Sequence, residues 1–138
     1  MRLHFRGVTS ALALAACAVL ISCGSSPTQP TKDGCTLVSA DPVAGTQLKV
    51  GVPVTLTVTG KCSLVSADSG IVVLGGIMVP SGESTNAANR PIARGTATTT
   101  MTVTFTLLPG TTSVQVVLAV TTSIGASGDE VWFAYSAG

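Results

Sequence analysis

Arg90 and Arg94 stand four residues apart in the longest stretch without strand-like patterning, Pro80 to Arg94, which also holds Glu83, Asn86 and Asn89. A guanidinium is a planar fork of N–H donors that fits a carboxylate or phosphate, and polar loops of this length in compact domains are either functional or mobile. Arg90, Arg94, Asn89 and Glu83 are therefore the candidate binding set for an anionic group on a partner. The competing reading is a solvated loop whose two arginines are incidental. Few other side chains could do chemistry. Asp129 and Glu130 are adjacent carboxylates without an acid–base motif around them, and no serine–lysine motif appears. Asp41 and Asp68 follow similar segments, Cys35 to Asp41 and Cys62 to Asp68, but calcium wants about six to eight oxygens, so turn-capping is the better role for both. No metal or cofactor site is expected. The echo between those segments stops at the aspartates, which is too short for a repeat architecture. Trp132 and Phe133 are neighbours in a strand-like segment and must point to opposite faces, so one of them is a candidate contact residue unless both are drawn into the core.

The N-terminus addresses the chain before any of this chemistry can act. Arg2 and Arg6 precede an uncharged apolar stretch from Val8 to Ser22, the order of parts in a secretory signal peptide. At about fifteen residues the stretch is shorter than the roughly twenty that a membrane-spanning helix needs, so a permanent span is the weaker alternative. It ends in Leu20-Ile21-Ser22-Cys23, which resembles the lipobox of bacterial lipoproteins, where the cysteine receives diacylglycerol. Leu14-Ala15-Ala16-Cys17 fits the same pattern, but cleavage there leaves too short an apolar core and a greasy new N-terminus. The resemblance thus implies lipidation at Cys23 and anchoring to a membrane; ordinary cleavage near Cys23, giving a secreted protein, stays open. Gly24 in place of an aspartate after the cysteine implies the outer membrane, if the host has two. Residues 1–22 read as the signal peptide and 23–33 as a lipidated cysteine with a flexible linker, since Gly24 to Thr31 offers almost nothing to bury and two prolines.

Removing that leader also removes most of the reactive chemistry. The sole histidine, His4, leaves with it, so residues 23–138 have no imidazole for a triad or a metal site. With Cys17 discarded and Cys23 lipidated, Cys35 and Cys62 remain as a pair in an oxidising compartment and are expected to form a disulfide, two buried thiols being the alternative. The remaining cations, Lys32, Lys49, Lys61, Arg90 and Arg94, nearly balance Asp33, Asp41, Asp68, Glu83, Asp129 and Glu130. There is no basic stripe and no aromatic platform of the kind that holds a nucleic-acid strand, so nucleic acid is not an expected partner.

Patterning after the leader has period two. Val54, Leu56 and Val58 alternate with Thr55, Thr57 and Thr59, and Met101, Val103, Phe105 and Leu107 alternate with Thr100, Thr102, Thr104 and Thr106. Threonine suits the wet face because its branched β-carbon favours extended backbone. Ser113 to Thr122 carries apolar residues on both faces and reads as central; Ile71 to Val79 is broken by Gly75-Gly76, where a bulge is expected; Leu37 to Ala40 and Val131 to Ser136 read as the first and last strands. Turn residues separate these segments at Pro42 to Gly45, Gly60-Lys61, Asp68 to Gly70, Pro109-Gly110 and Gly125 to Asp129. The expectation for residues 34–138 is an all-β domain, a single antiparallel two-sheet sandwich of about six or seven strands. Asp41-Pro42, Gly45, Leu48, Gly51 and Val54 to Gly60 resemble the opening strands of bacterial immunoglobulin-like domains. Cys35 and Cys62 are too close in sequence for the bridge between sheets found in antibody domains, and are expected instead to staple a first hairpin turning near Leu48 to Gly51.

Together these readings imply a non-catalytic, lipid-anchored binding module of the cell envelope whose partner is an envelope protein or surface ligand. A structural or assembly subunit of an envelope complex is the alternative, and a hydrolase a remote third.

Overall fold

The computed structural model describes residues 30–138, so the leader, Cys17, Cys23 and most of the linker lie outside the described residues. Within them the chain is all-β: strands β1 (Gly34–Asp41), β2 (Gln47–Leu48), β3 (Pro53–Val79), β4 (Ala88–Thr106), β5 (Ser113–Thr122) and β6 (Gly125–Ala137). β3 is the organiser. Its first half pairs antiparallel with β1 on one side and β4 on the other, and its second half pairs with β4 and β5. β5 continues antiparallel to β6, and a single parallel bridge, Gly34 to Asp129, joins β6 back to β1 and closes a ring of four strands. β2 runs parallel to the end of β6 through Gln47 and Leu48, so the pairing is not antiparallel throughout.

Several expected turns are strand. Gly60-Lys61 and Asp68 to Gly70 both lie inside the 27-residue β3. The glycines have packing reasons rather than turn reasons: a Cβ on Gly60 would collide with the Leu118 side chain of β5, and one on Gly70 would stand 2.7 Å from the Thr121 carbonyl oxygen. The β3–β4 ladder does break between Leu64 and Ser69, which bends β3 without ending it. Gly75 and Gly76, by contrast, stay in unbroken register with Val117 and Val116; the missing side chain of Gly76 leaves room for Thr85. The expected loop from Pro80 to Arg94 shortens as well, because β4 begins at Ala88 and takes Asn89, Arg90 and Arg94 into a strand.

The core follows the period-two pattern. Leu56, Val58, Cys62, Leu64, Val72, Leu74 and Met78 from β3 meet Met101, Val103 and Phe105 from β4 and Val114, Val116, Leu118 and Val120 from β5. Each fully buried Val or Leu contributes roughly 1.5–3 kcal/mol. Opposite them the threonines pair across strands, Thr55 with Thr104, Thr57 with Thr102 and Thr59 with Thr100, at 2.8–3.2 Å between hydroxyl oxygens. Cys35 and Cys62 are direct cross-strand partners with Cα atoms 4.1 Å apart and form the disulfide between β1 and β3.

Candidate functional site

The arginine-centred set does not converge. Arg94 donates from Nε and Nη2 to one oxygen of Asp68, at 3.1 and 3.0 Å, and from Nη1 to the Val65 carbonyl, so its fork spans the irregular stretch of β3. Those donors are directed at the chain itself. Asn89 and Arg90 are consecutive on β4, opposite Val73 and Val72, and therefore project to opposite faces. Glu83 lies in the remaining turn, where its carbonyl accepts the Met78 N–H and its own N–H donates to Ser81 Oγ. Asp41 and Asp68 are not brought together either: Asp41 ends β1 opposite Thr57, whereas Asp68 pairs with Arg94 beyond the far end of that ladder.

A carboxylate assigned to the linker proves to be a hub. Asp33, just before β1, is buried. Its Oδ1 accepts the N–H groups of Val65 at 2.6 Å and Ser66 at 3.0 Å, and its Oδ2 accepts the hydroxyls of Ser66 and Ser127. These bonds, Ser127 first, then Ser66 and the Val65 amide, favour the anion and hold the Asp33 carboxyl well below the usual carboxylate range against the opposing effect of burial. The Asp33 carbonyl also accepts the Asp129 N–H, and Lys32 pairs with the Asp129 carboxylate at 2.6 Å. With every lone pair turned inward, Asp33 fastens the start of the domain to the bend of β3 and the start of β6; it has no free base to offer a substrate. The only sequence signal was an aspartate–glycine pair at a strand start.

One surface does gather residues suited to recognition. Trp132 pairs with Val117 and Ala134 with Gln115 on adjacent strands, which puts these four side chains on one face of β5 and β6. The Trp132 residue is 51% exposed, and its indole N–H donates to Glu130 Oε2 at 2.9 Å. That bond limits how the indole can turn. Gln115, Trp132, Phe133 and Ala134 line a shallow cavity of about 250 Å³. Phe133 points the other way along the strand and packs against the core, its ring edge-on to Tyr135 with centroids 6.0 Å apart. Tyr135 is buried and donates its hydroxyl to the Pro42 carbonyl at 2.6 Å, tying the β1–β2 turn to β6 under the platform. Burial, then the charge of Asp41, raises the phenol's pKa. The competing groove, along Lys32, Thr36, Lys61, Ser63 and Thr96, is polar, and its Lys32 is already paired with Asp129.

These features define a class: an all-β domain pinned by one disulfide and carrying an exposed aromatic–amide platform. Neither a protein-family model nor a curated protein sequence matches the chain.

Proposed function

We propose that this chain is a non-catalytic binding module of the bacterial cell envelope, lipid-anchored through Cys23, folded as an immunoglobulin-like sandwich, and contacting its partner through the Trp132 face. The exposed, hydrogen-bonded indole beside Gln115 carries the reading. A tryptophan held half in water keeps a large apolar face uncovered, and such residues dominate the energetics of interfaces when they become buried. The face offers stacking area, the Gln115 amide and the Glu130 carboxylate, which keeps acceptor capacity beyond the indole bond. It suits a partner surface with an apolar side and hydroxyl or amide donors.

The strand order supports the sandwich. β1 pairs with the first half of β3, the chain then switches so that β2 joins β6 in parallel, and β3, β5 and β6 follow as antiparallel neighbours. The antiparallel neighbours, with the first and last segments brought side by side, are in keeping with a sandwich, although all six strands are linked in one sheet. For the anchor, the support is the order of basic, apolar and cysteine residues at the N-terminus. Two or three acyl chains, at about 0.8 kcal/mol per buried methylene, give stable membrane residence.

The test is capture from the source envelope with the full chain, Trp132→Ala and Arg90→Ala in parallel. Loss of the same reproducible partner with Trp132→Ala alone is expected; retention by that variant moves the contact elsewhere. Cys23→Ala is expected to shift the chain from membrane to soluble fractions, and its retention on membranes contradicts the lipid anchor. A structural subunit of an envelope assembly is the second reading, favoured by one observation, the outer edge of β4, which among the described residues pairs with no other strand.

A further inference from the structure

We infer that the free edge of β4 is a homodimer surface, on which a second copy of this chain adds its own β4 antiparallel about Thr99. The inference stands independently of the Trp132 reading.

Among the described residues β4 pairs only with β3, and from Thr96 to Thr104 no other main-chain partner reaches it. Thr96 pairs with Ser63, Thr100 with Thr59, Thr102 with Thr57 and Thr104 with Thr55, each with hydroxyl oxygens 2.8–3.2 Å apart. Such closeness marks the narrow, non-hydrogen-bonded pairs of an antiparallel ladder. The N–H and C=O groups of Thr96, Thr98, Thr100 and Thr102, alternate residues of one strand, therefore turn away from β3 toward the open edge. Thr104, of the same parity, has its carbonyl taken from that side by the Asn86 amide at 2.7 Å, which ends the open interval at Thr102.

Exposed edges are normally blunted by charge, proline or a bulge. This one has none of them: no charged residue or proline occurs from Gly95 to Leu108, and the register with β3 is unbroken from Gly95 to Thr106. Its residues are also self-complementary. Turning a second β4 about Thr99 sets Thr96 opposite Thr102 and Thr98 opposite Thr100, in both senses of the two-fold axis. Every outward pair is then threonine on threonine, the combination that β3 and β4 already make within the chain, and each pair exchanges two main-chain hydrogen bonds. The open interval has Thr99 at its centre, so the match uses all of it and leaves the Asn86 contact in place. Thr99 meets its own copy at a narrow pair, the same kind of site that Cys35 and Cys62 occupy.

The test uses the full chain purified in detergent, with molar mass read by light scattering and Thr99→Cys and Thr100→Cys variants oxidised in parallel. A protein mass of two chains, with a disulfide-linked dimer from Thr99→Cys and far less from Thr100→Cys, is expected. Two exposed-face variants check the register without touching the core. Thr98→Glu with Thr100→Glu sets glutamate against glutamate and is expected to be monomeric, whereas Thr98→Glu with Thr100→Lys sets opposite charges together and is expected to dimerise. A native chain that stays monomeric, equal cross-linking at both positions, or identical behaviour of the two charge variants overturns the inference.

Discussion

At the scale of single residues, Asp33 has the largest structural consequence and was the least visible. Among six acidic residues in a near-neutral chain, only the glycine after it set it apart from the preceding linker, because its partners, Val65, Ser66 and Ser127, are remote in sequence. Its anion is favoured by folding, so the stability it supplies is complete above the unfolded-state value near 3.8 and is lost as pH falls from there toward the lower native value. Asp33→Asn is accordingly expected to unfold at lower urea concentration at neutral pH, with the gap to the native chain narrowing below about pH 4. A constant gap across that range contradicts the role of the charge. Tyr135 gives a smaller effect: Tyr135→Phe strands the Pro42 carbonyl and is expected to cost about 1 kcal/mol in the same assay. Trp132 is the contrasting case. The period-two argument placed it and Phe133 on opposite faces, as observed, but which one faced water depended on the sheet's curvature and neighbours. Its replacement by alanine is expected to change stability by no more than about 0.5–1 kcal/mol while removing partner binding. The four-residue spacing of Arg90 and Arg94 could not choose between an anion-binding set and an incidental pair, because it said nothing of Asp68, which pairs with Arg94 from across the bend of β3.

At the scale of elements, alternation located part of every long strand but missed the first half of β4, which carries no period-two pattern, and the middle of β3, where glycine misled it. Gly60 and Gly70 were taken as turn residues; in the fold they are places where another chain segment lies too close for a side chain, a fact held by Leu118 and Thr121 rather than by their own surroundings. Gly60→Ala is expected to cost about 1–3 kcal/mol by overpacking, and less than that on a Leu118→Ala background, where the colliding methyl is gone. Additive losses in a denaturation cycle contradict the packing explanation. The cysteines, by contrast, were legible: the two residues flanking a hairpin-like span are partners in the β1–β3 ladder. Closing a span of 27 residues restricts the unfolded chain, and replacing both cysteines by alanine is expected to cost about 3 kcal/mol in chemical denaturation. The hairpin itself is interrupted, because β2 leaves β1 and β3 to join β6.

For the whole molecule, composition identified the class and left the edges open. Alternation and turn chemistry give the all-β architecture; they do not give the parallel contacts of β6 with β1 and β2, which close the ring and depend on tertiary docking. The Trp132 face and the open edge of β4 lie on different elements, so a pair of chains joined at β4 can display two copies of the Trp132 face at once. In the proposed function Trp132 is buried by the partner, and Trp132 is the only tryptophan in the sequence. The direct measurement is its fluorescence in the purified full chain as a tryptophan-free captured partner is added. A saturable blue shift of the emission, with protection of the indole from an aqueous quencher, is the predicted result. Binding that leaves both emission and quenching unchanged contradicts the account and places recognition on another face.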